Sequence, residues 1–279
     1  GGGGGGGMSA DEAYITAMRD LQYDDADTLS SYHYDKKSRE PGCLSAATNK
    51  LRTRRLCQEH ADFSHGLPCN PSSSVWALAH SDRMDCMQFM ISGPEDTPYS
   101  AGMFLFDAFF PPDYPNTAPK VNLQTTGNGT VRFNPNLYNC GKVCLSILGT
   151  WDGAQGETWD SKTSTMLQVM VSIQSLILVP QPYYNEPGFE RDMGTPKGDA
   201  ATNEYNAKRR EATVRFAMVE MLQRPTAGFE KVIRTHFKLR REFVLTQVRG
   251  WRDDLGADTP AHGRMSALVT QLETALAAL

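Results

Sequence analysis

Residues 133–148 read FNPNLYNCGKVCLSIL and contain two cysteines, Cys140 and Cys144, four positions apart. An Asn-Pro-Asn step precedes them and a Gly-Lys turn lies between them, but none of the chain's six histidines falls in this stretch. A hydrolase-type cysteine needs a histidine base that a third group holds in place. The stretch therefore argues against a cysteine hydrolase and raises the question of how one of these thiols would react.

A thiol without a base can still react with an acyl group that arrives already activated as a thioester. At neutral pH a few per cent of an ordinary cysteine is thiolate, which is intrinsically very nucleophilic. When an amine then attacks the new thioester, an oxyanion forms, and losing one preorganised donor to such an oxyanion typically costs roughly 3 to 4 kcal/mol. A side-chain amide at the end of the Asn-Pro-Asn turn can supply that donor, so the stretch is typical of acyl transfer through a thiol to an amine.

Composition limits the possible partners and compartments. The 279 residues carry a net charge of −4, and 40% of them are hydrophobic, which suits one globular domain with extensions or two small domains. No basic field favours nucleic acid or a membrane surface, and no apolar run approaches the roughly 20 residues that span a bilayer. The six cysteines are scattered without a CxxC pair, and no secretory signal begins the chain. We expect a soluble protein of the cytoplasm or nucleus that binds no metal, no nucleic acid and no membrane.

Hydrophobic periodicity predicts a helix and then a sheet in the first half of the chain. Residues 1–7 are glycines, which we interpret as a linker or tag, and residues 8–45 are expected to hold one helix at 11–23 followed by a loop to about residue 44. A helix with a cationic face is predicted from residue 46 to about 63. Four strands follow, at residues 75–80, 85–92, 102–110 and 121–124. Turn residues between the second and third strands favour a four-stranded antiparallel meander.

The second half of the chain predicts helices. Residues 163–178 place apolar side chains, Leu176 among them, on one stripe, and Thr165 and Gln168 are spaced as a capping box. Further helices are predicted at 201–223, 227–237, 240–252 and 264–279. The last has apolar residues at i, i+3, i+4 and i+7 spacing, which predicts packing onto its own domain, with a partner-binding or oligomer helix as the alternative.

The stretch from GPEDTPYSAGMFLFDAFFPPDYPNTAPKVNL through FNPNLYNCGKVCLSIL to ETWDSKTSTMLQVMVSIQSLIL closely resembles the core of ubiquitin-conjugating enzymes. Order, spacing and residue types agree throughout. The resemblance implies an α+β fold over residues 46–240, with an N-terminal helix, a four-stranded antiparallel meander, a central helix and C-terminal helices. Residues 8–45 and 241–279 would then be helical extensions.

The resemblance also implies the reaction and its residues. Cys144 aligns with the cysteine that accepts ubiquitin as a thioester from the ubiquitin-activating enzyme, and Asn136, eight positions earlier, with the asparagine beside the oxyanion. Cys140 matches no catalytic position. The expected partners are ubiquitin, the activating enzyme, protein substrates whose lysines are modified and a ligase, and no cofactor is implied.

Two further pairs of residues are assigned by weaker likeness. Tyr184 and Asn185 occupy the loop that orients the incoming lysine in the family, although a packed aromatic ring and a turn asparagine explain them equally well. Arg54 and Arg55, on the cationic face of the helix after residue 46, resemble the surface that docks the activating enzyme. A solvated helix face is the alternative for these two arginines.

Three departures from the family pattern stand out. Asn134 replaces the usual histidine of His-Pro-Asn, so we expect altered hydrogen bonding in the turn. The loop at residues 149–157 is longer than in minimal members and is expected to gate the site or contact ubiquitin. Asn116 stands where many members have an aromatic residue that packs into RING-type ligases, which argues against conventional ligase docking there.

Within the family, the likeness is greatest to the conjugating domain of the giant hybrid conjugating/ligase enzymes of the BRUCE (apollon) type. It rests on VRFNPNLYN, LQVMVSIQSLILV, PYYNEPGFE and GTPKG. A second hybrid group and large plant conjugating enzymes share NPNLY and GKVCLS. Two rival functions remain, an inert ubiquitin-binding variant and a conjugating enzyme for another ubiquitin-like modifier.

Overall fold

The computed structural model describes residues 8–46, 49–152 and 157–279. Three predicted features lie wholly or partly outside the described residues. They are the linker at 1–7, residues 47–48 of the predicted 46–63 helix, and residues 153–156 of the predicted gating loop. The helices are α1 Ala10–Arg19, α2 Asp35–Ser38, α3 Pro41–Ser45, α4 Lys50–Gly66, α5 Met166–Ser172, α6 Pro196–Ala212, α7 Glu220–Gln223, α8 Glu230–Leu239, α9 Arg241–Asp253 and α10 Pro260–Ala277. The strands are β1 Tyr23–Ala26, β2 Val75–His80, β3 Arg83–Ser92, β4 Met103–Phe109 and β5 Lys120–Leu123.

The α+β class is confirmed, but the sheet has five strands rather than the predicted four. The order is β1-β2-β3-β4-β5, and β2 to β5 form the expected antiparallel meander. β1 pairs in parallel with β2, with Tyr23 opposite Ala77. The sequence predicts a loop there because of its aspartates. Since β1 lies at the sheet edge, Asp24 and Asp25 stay exposed to water while their backbone pairs.

The sheet is covered on both faces, which explains why β4 is buried along its whole length and β3 from Asp85 onward. One face, including Phe89 and Phe106 stacked with ring centroids 4.9 Å apart, packs against α5. The other face, including Trp76 and Met90, packs against α8, α9 and α10. The apolar stripe of α10 is buried in this second core, as the packing prediction required. No helix in the described ranges is long and apolar enough to cross a membrane.

The central helix begins as predicted and then departs from a regular α-helix. The Thr165–Gln168 capping box is present, with both of its reciprocal hydrogen bonds. From Ile173 to Ile177 the helix widens into a π-helical turn. The predicted apolar stripe therefore fails at Leu176, whose side chain is 60% exposed, because the wider turn changes which side chains face the core.

The N-terminal extension contains more regular structure than the single helix and loop that the sequence predicts. The segment after β1 packs against Cys86 of β3 and Phe109 of β4, and α2 and α3 replace part of the predicted loop. The carboxylate of Asp107 accepts hydrogen bonds from the backbone N–H of His33 (2.6 Å) and the side-chain amide of Gln88 (2.7 Å). The Tyr32 hydroxyl donates to the Ala108 carbonyl at 2.6 Å. The extension thus buries a carboxylate beneath it.

Burial raises the pKa of Asp107 to about 7, and the two hydrogen bonds oppose that rise. A carboxyl whose pKa is higher in the folded state binds its proton more tightly there, so its proton-linked stabilisation is present below about pH 4 and is lost as the pH rises through about 7. Between pH 5 and pH 8 we expect Asp107 to lower the free energy of unfolding by on the order of 2 kcal/mol. Urea denaturation of the wild type and Asp107→Asn at both pH values measures this, because only the wild type should show that component. Identical pH profiles for the two proteins would contradict it.

Candidate active site

Asn134 holds the turn that leads into the candidate site. Its buried side-chain amide donates to the Ile177 carbonyl at 2.7 Å and to the Tyr99 hydroxyl at 3.3 Å. Its Oδ1 accepts from the Asn136 backbone N–H at 2.8 Å and from the Asn185 amide at 3.3 Å. One side chain therefore ties the turn both to the end of the central helix and to the loop beyond it.

Asn134→Ala is expected to lower the free energy of unfolding by about 2 to 4 kcal/mol, because buried N–H and C=O partners lose their bonds. Asn134→His should cost less, since a neutral imidazole still offers one donor and one acceptor. Urea denaturation of the three proteins checks the order. Equal losses for alanine and histidine would show that the hydrogen bonds of Asn134 do not hold the turn.

The structure brings Asn136 and Cys144 together in a reciprocal pair. The Cys144 backbone N–H donates to the Asn136 carbonyl at 2.9 Å, and the Asn136 side-chain amide donates to the Cys144 carbonyl, also at 2.9 Å. Leu137 and Val143 form the bridge between the two arms of this hairpin. A short 3₁₀ turn, Ser146–Leu148, then carries the chain away. Asn136 and Cys144 are eight positions apart because the hairpin that joins them has this length.

The Cys144 thiol is neither exposed nor strongly activated. The residue is 2% exposed, and burial raises its pKa, while Lys142 and Arg132 lower the pKa and Cys140 raises it further. No histidine lines the two clefts that adjoin Cys144 in the described residues. Cys140 is exposed at the tip of the hairpin. This environment suits a thiol that reacts with an activated acyl donor better than one that attacks an unactivated bond.

Cys144 lies where two clefts meet. The helix-side cleft, about 440 Å³, is lined by Asn136, Cys144, Leu145, Ser146, Ile147, Trp151, Glu157, Ser172, Leu176, Ile177 and Asn185. The hairpin-side cleft, about 770 Å³, is lined by Tyr138, Lys142, Cys144, Gly149, Thr150, Trp151, Asp152 and Pro187. Because Cys144 lines both clefts, an acyl chain on its sulfur and an incoming nucleophile would have separate approaches.

Among the described residues no group of histidine, cysteine and acidic side chains is placed to hold a metal ion.

Of the two residues predicted to orient the lysine, the structure brings Asn185 to the site and Tyr184 elsewhere. Asn185 lines the helix-side cleft and donates to the Leu176 carbonyl at 3.1 Å. The Tyr184 hydroxyl lies against Gly198 of α6, where an added Cβ would come within 2.6 Å of it. This placement favours Asn185 for the proposed role.

The two arginines proposed to dock the activating enzyme differ in their surroundings. Arg55 forms an ion pair with Glu59 at 2.9 Å and donates to the carbonyl oxygens of Ser161 and Ser164, so its guanidinium is largely engaged within the protein. Arg54 is exposed on α4. Both lie on α4, away from the two clefts, and the predicted docking role rests mainly on Arg54.

Sequence reasoning missed several residues that line the clefts, Tyr138, Lys142 and Trp151 among them. Tyr138 and Lys142 sit on the hairpin between Asn136 and Cys144, so their position within the quoted stretch was a signal for them. Trp151 lines both clefts. It lies on the longer loop at residues 149–157, which the sequence predicts to lie at the site, but nothing in the sequence singles out Trp151 within that loop.

The fold and the site together define an α+β protein that presents one buried thiol to two clefts, beside a side-chain amide. The sequence profile of the family described as ubiquitin-conjugating enzyme matches residues 55–213. The chain belongs to this family.

Similar proteins include members of very different size. The human dual E2 ubiquitin-conjugating enzyme/E3 ubiquitin-protein ligase BIRC6 is 46% identical over 258 residues, covering 88% of this chain and 5% of that protein. The probable ubiquitin-conjugating enzyme protein 17 of Caenorhabditis elegans is 49% identical over 207 residues, covering 74% of this chain and 28% of the relative. The putative ubiquitin-conjugating enzyme E2 38 of Arabidopsis thaliana is 35% identical over 254 residues, covering 91% and 73%. The predicted likeness to hybrid conjugating/ligase enzymes is confirmed.

Proposed function

We propose that this chain accepts ubiquitin on Cys144 from the activating enzyme and transfers it to a lysine of a protein substrate, directly or with a ligase. In loading, the Cys144 sulfur attacks the thioester carbonyl carbon, and the bond from that carbon to the activating enzyme's cysteine breaks. In transfer, the lysine nitrogen attacks the same carbon, the Cys144 thiolate leaves, and the nitrogen loses a proton to water. Neither step requires a histidine base, because the acyl group is activated throughout.

The reciprocal pairing of Asn136 with Cys144 is the observation that carries this proposal. In the described part of the chain, the Asn136 side-chain nitrogen makes one hydrogen bond, to the Cys144 carbonyl. An amide nitrogen has two N–H groups, so the second is left for the oxyanion that forms when the lysine attacks. The backbone bond in turn fixes the amide beside the thiol.

The human relative is named for a dual conjugating and ligase function. Of these two functions, the pairing of Cys144 with Asn136 supports the conjugating step. The lysine-orienting role of Asn185 and the docking role of Arg54 complete the proposal. An inert ubiquitin-binding variant is disfavoured because Cys144 and Asn136 are both present and paired.

The test is a loading panel in which the chain is incubated with ATP and either ubiquitin or another ubiquitin-like modifier, each with its own activating enzyme. The proposal expects a reductant-sensitive adduct with ubiquitin. An adduct formed with a different modifier alone would reassign the substrate, and no adduct with any of them would favour the inert binding variant.

A further inference from the structure

Thr150 forms hydrogen bonds that join the longer loop, residues 149–157, to the backbone on both sides of Cys144. Its hydroxyl donates to the Val143 carbonyl at 2.7 Å and accepts from the Leu145 backbone N–H at 3.0 Å. The Thr150 N–H also donates to the Leu145 carbonyl at 3.3 Å. These bonds return the chain to the candidate catalytic residue directly after the 3₁₀ turn.

This return brings Trp151 to the two clefts that Cys144 lines. Trp151 and Cys144 are the two residues that line both clefts in the described part of the chain. Trp151 is half-buried, yet it belongs to neither of the two main apolar cores. Its indole is therefore held at the junction of the clefts without stabilising either core.

A loaded thioester can react with water as well as with lysine. In hydrolysis a water oxygen attacks the carbonyl carbon, the carbon–sulfur bond breaks, and free ubiquitin carboxylate and the Cys144 thiol are released. A large apolar ring that lines both clefts excludes water from part of this approach and keeps the two clefts distinct.

We propose that Trp151, held in place by Thr150, is a positioning residue that separates the two approaches to Cys144 and shields its thioester from water. This inference rests on the proposed function. Trp151 belongs to the segment, residues 149–157, that is longer than in minimal members of the family.

The test uses purified thioester of the wild type, Trp151→Ala and Trp151→Phe, with decay followed without amine and at several concentrations of free lysine. The thioester of Trp151→Ala should hydrolyse about fivefold faster or more than that of the wild type and show a lower ratio of aminolysis to hydrolysis. Trp151→Phe keeps an apolar ring and should stay within about twofold of the wild type.

Thr150 offers a matched pair of variants. Thr150→Val keeps the shape but loses the hydroxyl, and it should reproduce the faster hydrolysis of Trp151→Ala. Thr150→Ser keeps the hydroxyl and should not. Thermal unfolding of each variant shows whether the fold is intact, and a ratio of the two rates is unaffected by a smaller folded fraction.

The inference is overturned if Trp151→Ala keeps both the hydrolysis rate of its thioester and the ratio of aminolysis to hydrolysis within twofold of the wild type. An unchanged ratio of aminolysis to hydrolysis in Thr150→Val would also overturn it. A folded Trp151→Ala that fails to load would place the indole in the encounter with the activating enzyme instead. Failure of the wild type to load contradicts the proposed function itself and is seen before any variant is compared.

Discussion

Asn136→Ala should load ubiquitin but discharge it to free lysine about 10² to 10³-fold more slowly than the wild type. The substitution removes the second N–H of the side-chain amide, which the proposed function assigns to the developing oxyanion, and a preorganised donor of this kind acts mainly in the transition state. The measurement is a single-turnover discharge, in which purified thioester is mixed with lysine and its loss is followed on a non-reducing gel.

The same substitution also removes the 2.9 Å bond to the Cys144 carbonyl, so a control must separate the two roles. Asn136→Asp retains the size of the side chain but lacks both N–H groups, so it should be slow as well, and the two roles are separated by the state of the Cys144 thiol. The alkylation rate of Cys144 and the thermal midpoint report whether the thiol has moved. Discharge within about fivefold of the wild type at an unchanged midpoint would show that Asn136 is not the stabilising donor.

Much of the sheet could be predicted because its signals are local. Alternating apolar residues and a tight turn identify β3 and β4, and the observed bounds differ from the predicted ones by one or two residues. β1 could not be predicted in this way, because its acidic residues disfavour a strand. Its pairing with β2 depends on a partner about fifty residues away, and this tertiary contact overrides local propensity.

The departure at Leu176 has a different cause. A stripe drawn with a period of 3.6 residues assumes an α-helix throughout, whereas Ile173–Ile177 forms a π-helical turn. The turn leaves Leu176 exposed and lining the helix-side cleft. An apolar residue expected in the core thus lies next to Cys144 instead.

Part of the candidate site could likewise be predicted from local sequence, and part depends on tertiary packing. Asn136 and Cys144 could be found from spacing, because a single hairpin joins them. Choosing Asn185 over Tyr184, and Arg54 over Arg55, required the packing of α6 and the ion pair with Glu59, which local sequence does not encode.

Cys144→Ala is expected to abolish the ubiquitin adduct completely, because the acyl group then has no thiol in the site to accept it. Cys140→Ser is the matched control from the same hairpin and should load like the wild type, since Cys140 is exposed at the tip and lines neither cleft. Because burial raises the pKa of Cys144, wild-type loading should also quicken as the pH rises and the thiolate fraction grows.

The most direct measurement is the intact mass of each protein after incubation with activating enzyme, ATP and ubiquitin, with and without reductant. The wild type and Cys140→Ser should each gain one ubiquitin that reductant removes, and Cys144→Ala should gain none. A reductant-sensitive adduct that persists in Cys144→Ala, or that disappears in Cys140→Ser, would contradict the assignment of Cys144 as the residue that carries ubiquitin.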